Sequence, residues 1–456
     1  MLASSSSLRS SLRPSDAMGR TPGRALVLVL LGLFLIASAL VATAVKRAPD
    51  LSSYDEWTHA DYAYAVSQGH IPARGSLLAP EIVREWSCHG GPGAYIPPPC
   101  GSGAPASSYP MRGENYNFGH PPLYYAITGA LTRGIDAVVP GEHFITIARS
   151  IGLLWLYAAM LVLYAAIRRF GVERRLAFLG AAGLALWPVV IHASSTVNND
   201  AAAPLAGSLS LWVLARILVD HKTGWFLPVV VTLAITATKV LNGFPMLCVA
   251  AICAVLTIEK IRQRDRRWRD FLWITIGILV AFLVVLKGWQ AFQSGRGAAV
   301  WTSPIQGINT KAIVGSPIKE IFGTMFAGFQ VTSNYYLQPQ INGFLIRMWA
   351  QVLTVLVGVL PVVAFIVFKR GKPEWIVGAG TLFGIITLPI VIEVQTVVND
   401  NAFFPAITGR YALSMIPWLM VCAALIAAKQ RWFWTFVGIT AAGAAATLVT
   451  IGGLVS

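Results

Sequence analysis

The chain has 456 residues, of which 55% are hydrophobic and only 12% charged, with apolar runs recurring along its whole length. This excludes a soluble protein and predicts an all-α polytopic membrane protein. The formal net charge of +15 would suit a nucleic-acid binder, but the basic residues cluster in short loops between apolar runs, where they set orientation and imply no nucleic-acid partner.

Residues 1–24 are rich in Ser and Arg without an apolar period, which predicts a disordered tail held in the cytoplasm by Arg13, Arg20 and Arg24. Residues 25–45 follow as a first transmembrane helix. Ala42-Thr43-Ala44 resembles a cleavage site, yet the apolar run of about twenty residues exceeds a usual signal core, so the helix is read as retained.

The span delivers an external region at 46–142. It opens with SSYDEWTHADYAYAVSQG at 52–69, which gathers Asp55, Glu56, His59 and Asp61 in one short helix just outside the lipid. Ser53 three residues before Glu56 reads as a capping box, and Gly69 with Pro72 ends the helix. Asp55, His59 and Tyr62 share a face at i, i+4 and i+7, whereas Glu56 points roughly 100° away. Asp55 is then a candidate catalytic base, or an anion favoured by the helix N-terminus, and Glu56 mainly a cap. Cys88 and Cys100 lie in a Gly- and Pro-rich loop on the outer side and are expected to form a disulfide, whereas Cys248, Cys253 and Cys422 lie inside apolar spans as packing residues. GENYNFGHPPLYYAITGALTRGI at 113–135 carries the apolar stripe Leu123, Tyr124, Ile127 and Leu131 behind Pro121-Pro122, and predicts an amphipathic helix lying along the membrane.

Further spans are expected at 143–167, 175–194, 201–219, 225–241, 243–258, 270–287, 343–368, 374–392, 411–428 and 433–452. With the first this makes about eleven crossings, the N-terminus inside and the C-terminus outside, and all the basic loops then fall on one side. The core at 143–287 and the C-terminal helices at 343–456 are separated by a second external segment at 288–342, a candidate lid or an inert cap.

The external ends of the spans carry more polar groups than passive packing needs. Asn198-Asn199-Asp200 follows the third span, Lys239 ends the fifth, Lys287 the seventh, Arg347 opens the eighth, Glu393 ends the ninth and Gly409-Arg410-Tyr411 opens the tenth. Cations at an external end run against the charge bias and invite a functional account, with snorkelling to lipid phosphate as the alternative. Acids with cations on one face suit transfer from a phosphate leaving group: a carboxylate takes a proton from an attacking hydroxyl, and the cations stabilise the departing phosphate. Asp200 is the second candidate acid, or a cap of the fourth span. Asp55, Glu56 and Asp200 together also suit a divalent cation such as Mg or Mn. No zinc spacing, P-loop, dinucleotide fingerprint or nucleophile elbow occurs in a fitting context.

The order of a first span, DEWTHADYAYAVSQGHIP, HPPLYYAITGAL and NNDAAAPLAGSLSLW resembles the glycosyltransferase C (GT-C) superfamily of multi-span membrane enzymes, best over residues 25–240. GRYALSMIPW resembles a bacterial branch of it long labelled a membrane family of unknown function. The resemblance implies juxtamembrane external helices, a polyprenyl-phosphate-linked sugar donor, and an envelope glycan or glycolipid acceptor on the outer face of a bacterial cytoplasmic membrane. It puts Asp55 and Asp200 at the positions of the catalytic acids, and Lys239 and Arg410 near the lipid phosphate. His59 matches the branch motif, and with His120, Arg347 and Tyr411 it completes the expected substrate-binding set. Asp-Glu replaces the single acid of many members, which leaves open the base and any metal. Without a large soluble C-terminal domain, acceptor recognition falls to the external loops. Two readings from other classes stand beside the enzyme: a transporter or flippase of a lipid-linked glycan, and an inactive scaffold of an envelope complex.

Overall fold

The computed structural model describes residues 23–91, 95–139, 143–305, 310–324, 343–404 and 409–453. Nearly all of the N-terminal tail and the aromatic stretch NYYLQPQ of the second external segment lie outside these.

Long apolar helices dominate the chain because in lipid every backbone N–H and C=O has to be satisfied within its own segment. After α1 (Gly23–Arg47) come three short helices, α2 (Glu56–Ser67), α3 (Pro80–His89) and α4 (Leu123–Asp136). The chain then enters α5 (Phe144–Arg169), the broken pair α6 (Arg174–Leu184) and α7 (Pro188–Ser195), α8 (Ala203–Leu218), α9 (Phe226–Thr238), α10 (Phe244–Arg262) and α11 (Trp268–Ser294). A short α12 (Pro317–Gly323) precedes α13 (Phe344–Val367), α14 (Pro373–Asp400), α15 (Ile416–Gln430) and α16 (Phe433–Ile451). The strand content among the described residues is a two-residue pair, Lys311–Ala312 against Ala402–Phe403.

Among the described residues nine helices are long and apolar enough to cross a membrane, and α6 with α7 makes a tenth span bent by 64°. The break has a local cause: Trp187 adopts extended backbone (φ −83°, ψ 118°) because Pro188 disfavours the helical conformation in the residue before it. The helix in the expected crossing at 225–241 is short: α9 has 13 residues, about 20 Å, against a hydrocarbon core of about 30 Å. It brings the chain back to the start of α8, where Lys239 at its end meets Asp200, and the 3₁₀ turn Val240–Gly243 then leads into α10. Helix α4, with 14 residues, is likewise too short to cross and leaves Ile127, Leu131 and Ile135 exposed along one side, as a helix lying on the membrane requires.

Close backbone approaches assemble the ends of these helices. Gly129 of α4 faces the carbonyl of Ala63 on α2, where an added Cβ would meet that oxygen at 2.2 Å. Gly207 of α8 faces the carbonyl of Ser414 in the 3₁₀ segment Gly409–Met415, where a Cβ would meet it at 2.0 Å. The second contact draws Arg410 and Tyr411 towards the start of α8, next to Asp200.

The second external segment is anchored in its first part. Helix α11 runs on to Ser294, past the expected span end at 287. Arg74 donates to the Ser294 and Arg296 carbonyls, Arg296 to Ile71, Arg112 to Thr302, and Trp301 to the Glu114 carboxylate. Five side-chain bonds to the first external region make residues 294–302 a fixed wall.

Cys88, at the end of α3, is bonded to Cys100, twelve residues on. Closing a loop of that length restricts the unfolded chain by about 3 kcal/mol. The double substitution of both cysteines by serine is expected to lower the thermal midpoint in detergent by several degrees; an unchanged midpoint would show that α3 is held by packing alone.

Candidate active site

The site is built where the first external region meets the turns before α8 and α10. Asp55 takes the residue before α2 and adopts left-handed backbone (φ 61°, ψ 20°), an arrangement that aspartate tolerates better than most residues and that concentrates at functional positions. Its carbonyl accepts from the Thr58 and His59 amides and from Thr58 Oγ1, which starts the helix without any side-chain cap. Its carboxylate accepts the Tyr116 hydroxyl at 2.7 Å on Oδ1, and Oδ2 lies 3.9 Å from Arg410 Nη2. Tyr116 is aimed there by its neighbours. Asn115 donates to Thr58 O and Asp61 Oδ2 and accepts from the Asn117 amide, and Asn117 donates to Thr58 Oγ1.

The capping box is corrected. Ser53 does not cap α2, and Glu56 reaches back to the Ser52 amide as one of four bonds within a buried ion pair. Its Oε1 accepts from Arg149 Nε at 2.7 Å and the Val197 amide at 2.8 Å, and its Oε2 from Arg149 Nη2 at 2.8 Å and the Ser52 amide at 2.7 Å. Arg149 spends its remaining donors on the carbonyls of Ala48, Pro49 and Asp50. Against the upward push of burial, the Arg149 charge and these bonds hold the Glu56 carboxyl below the usual glutamate range. Glu56 is therefore no free acid: it braces the link between α1 and α2 against α5 and the strand-like approach to Asn198.

Asp200 is not a cap either, because Asn198 caps its 3₁₀ turn by accepting the Asp200 amide at 2.9 Å. The Asp200 carboxylate instead takes Lys239 Nζ at 2.5 Å, both side chains being at least nine-tenths buried. Lys239 and Arg410 both lie over the Tyr411 ring, at 5.5 and 5.3 Å, and Arg410 also covers Tyr54 at 5.0 Å. Two acids, two cations and the aromatic faces between them thus converge, with charges that balance. His59 and His120 complete one wall: their rings stack at 6.0 Å, His59 Nδ1 bonds the Tyr125 hydroxyl at 2.8 Å, and Asn199 donates to that same hydroxyl. Tyr62 stacks on Tyr125 at 3.9 Å and donates to the His120 carbonyl, so His59 and Tyr62 share a face of α2, while Asp55, expected on that face, lies before the helix.

Burial raises the Asp55 carboxyl above the usual aspartate range and the nearby Asp200 adds to this, while Arg410, Tyr116 and Lys239 oppose it. That suits a base meant to accept a proton. Burial, His120 and the two cations hold His59 well below the usual range; burial and Lys239 push His120 down to about 3. A histidine kept neutral in the folded chain ionises first in the unfolded one, so its stabilising contribution is present above 6.5 and drains away as pH falls towards 3. At pH 5 the share of His120 is on the order of 2 kcal/mol. Asp61, raised by burial to about 6, works with the opposite sign, losing stability as pH rises. The thermal midpoint of His120→Gln is expected to fall less than that of the wild type between pH 7 and 5; parallel curves would show that His120 is not held neutral.

Several expected residues stand apart. Arg347 and Lys287 are exposed on α13 and α11 and, among the described residues, join none of these contacts. Glu393 lies inside α14, which runs on to Asp400, and accepts the Phe404 amide. A divalent ion does not fit: Asp55 serves Tyr116 and Arg410, Asp200 serves Lys239, Glu56 serves Arg149, and no group of three metal-ligating side chains occurs among the described residues. Tyr116 and Arg149 were missed. Tyr116 carries no sequence signal, but Arg149 is a lone cation inside an apolar span, where an ionised side chain demands a partner.

This architecture, a bundle of apolar helices with an acid-and-cation site at one end beside short external helices, is an all-α polytopic membrane fold. Residues 120–289 match the family model described as dolichyl-phosphate-mannose-protein mannosyltransferase. No curated protein matches the chain. Among solved structures, ArnT from Cupriavidus metallidurans bound to undecaprenyl phosphate is 15% identical with a TM-score of 0.51, over 93% of this chain and 63% of that one. The chain thus spans about 63% of the length of that relative. The apo form of the same protein gives 15% and 0.48, over 92% and 63%. The Archaeoglobus fulgidus oligosaccharyltransferase in its apo form gives 11% and 0.41, over 94% and 55%. Residues 120–289 thus resemble that mannosyltransferase family, and the chain as a whole shares the fold of ArnT.

Proposed function

We propose that the chain transfers one sugar from a polyprenyl-phosphate-linked donor to a hydroxyl of an envelope glycan or glycolipid, at the external face of a bacterial cytoplasmic membrane. The observation that carries this is the convergence of Asp55, Asp200, Lys239 and Arg410 at one end of the bundle. The acceptor oxygen attacks the anomeric carbon and its proton passes to Oδ2 of Asp55, the oxygen that faces Arg410. The bond from that carbon to the phosphate oxygen breaks, and its electron pair leaves on polyprenyl phosphate. Lys239 and Arg410 meet the charge that grows there, which lowers the barrier more than it tightens ground-state binding. A single displacement inverts the anomeric centre. The neutral rings of His59 and His120 offer hydrogen bonds to sugar hydroxyls without competing for the phosphate.

The binding of undecaprenyl phosphate by ArnT supports a donor of this class. Orientation rests on the basic loops: with alternating spans and a cytoplasmic N-terminus, Arg168, Arg169 and Arg174, then 260–269, 369–372 and 429–431 all fall on the cytoplasmic side. The test is incubation of purified protein with a panel of polyprenyl-phosphate sugars and a lipid extract as acceptor. Release of polyprenyl phosphate from one donor, with transfer of its sugar, is the expected result; no release from any of them counts against the reading.

A further inference from the structure

We infer that His192 is a further substrate-contacting residue, donating from its Nδ1–H to an oxygen of the donor's phosphate. The inference rests on the proposed transfer from a lipid phosphate and adds to it a residue that the sequence did not mark. His192 lies on α7, is only 5% exposed, and lines a small cavity together with Tyr54, Asn198, Asp200 and Arg410. Its Nε2 is 3.0 Å from Ser52 Oγ, and its Nδ1 has no hydrogen-bond partner among the described residues. A buried ring nitrogen without a partner costs on the order of 1–3 kcal/mol, so a residue held this way has a use for that atom.

The surrounding bonds say which nitrogen carries the proton. Ser52 is 1% exposed, and its Oγ already accepts the Tyr54 amide at 3.2 Å. The serine has one hydroxyl proton to place, and the acceptor within reach is His192 Nε2. A neutral imidazole that accepts on Nε2 carries its hydrogen on Nδ1, and so offers a donor, the polarity that a phosphate oxygen needs. The setting agrees with an anion. The Tyr54 and His192 rings stand perpendicular with centroids 5.7 Å apart, Arg410 lies over the Tyr54 ring at 5.0 Å, and Arg410 lines the same cavity. Asp200, also in the wall, is committed to Lys239. One cation and one neutral donor then grip the leaving group from two sides.

Two substitutions separate this role from that of a strut for Ser52. Asparagine carries its amide nitrogen at the bond count of Nδ1, and glutamine at that of Nε2. Binding of polyprenyl phosphate is measured against polyprenol, which lacks the phosphate, for wild type, His192→Asn and His192→Gln in detergent, with the thermal midpoint as the control for folding. His192→Asn is expected to bind polyprenyl phosphate within about threefold of wild type and His192→Gln about tenfold or more weakly, the loss of one hydrogen bond to an anion. Polyprenol should not tell them apart. Retention by Gln with loss in Asn makes His192 a support for Ser52 and overturns the inference, as do equal affinities in both variants or an equal loss for polyprenol. No binding of polyprenyl phosphate by the wild-type chain overturns the transferase reading itself and this inference with it.

Discussion

Asp55→Asn is expected to lower kcat by about 10²–10⁴-fold, the usual worth of a general base, while the KM for the donor stays within a few-fold. The substitution is clean for structural reasons. Asparagine tolerates the left-handed backbone found at this position, and its side-chain oxygen still accepts the Tyr116 hydroxyl that now binds Oδ1. The helix is started by the Asp55 carbonyl, with no cap from its side chain, so α2 does not depend on the carboxylate. The thermal midpoint should move by no more than a degree or two. Only the proton acceptor facing Arg410 is removed. Residual turnover within tenfold of the wild type would assign the base elsewhere, with Asp200 the next group to test once its bond to Lys239 is considered.

Glu56→Gln is expected to be the more damaging change for the protein as a whole. The local pattern alone predicts a mild effect, since Gln replaces Glu well in a capping box. The four bonds to the Glu56 carboxylate reverse that expectation. An amide nitrogen cannot accept, so at least two of the donors from Arg149, Ser52 and Val197 lose their partner, and the Arg149 guanidinium is left charged and uncompensated at 1% exposure. Breaking a buried pair in this way costs about 3–5 kcal/mol. Arg149→Gln should cost as much from the other side. Arg149→Lys should recover only part, because an ammonium cannot hold the carboxylate with two prongs and reach the Ala48 and Asp50 carbonyls as well. Yield of folded protein and thermal midpoint in detergent read this directly. Glu56→Gln melting with the wild type would show that the pair contributes little to the fold.

The two acidic neighbours therefore divide the work by geometry. Helical spacing put Asp55 and Glu56 roughly 100° apart, but Asp55 lies before α2 in left-handed backbone, and it is this turn that sends one carboxylate towards Tyr116 and Arg410 and the other towards Arg149. The brace also connects the two halves of the site. Glu56 is next in chain to Asp55, and it holds the amide of Val197, three residues before Asp200.

Much of the molecule was legible because it follows from short-range patterns. The apolar runs are long enough to span lipid, the basic loops alternate with them, and proline and glycine punctuate α2, α4 and the break before α7. Asp55, Asp200, Lys239 and Arg410 were visible as polar residues at the ends of apolar spans, where an ionised group is costly without a purpose. The Cys88–Cys100 bond follows from two cysteines in one polar loop.

What the sequence determined by itself is thus the class of the protein and the identity of the residues that stand at one end of its spans, since period, length and burial cost act within a few residues of chain. Tertiary structure alone decided which of those residues meet. Tyr116 lies 61 positions from Asp55, Arg149 lies 93 from Glu56, and His192 lies 140 from Ser52. It also decided that Arg347 stays outside and that α9 ends at Thr238, with Lys239 against Asp200. The physical reason is that a buried charge or hydrogen bond is satisfied by whatever partner the packed backbone brings near. That partner is set by close contacts such as Gly207 against Ser414, and leaves no mark in the pattern of either segment on its own.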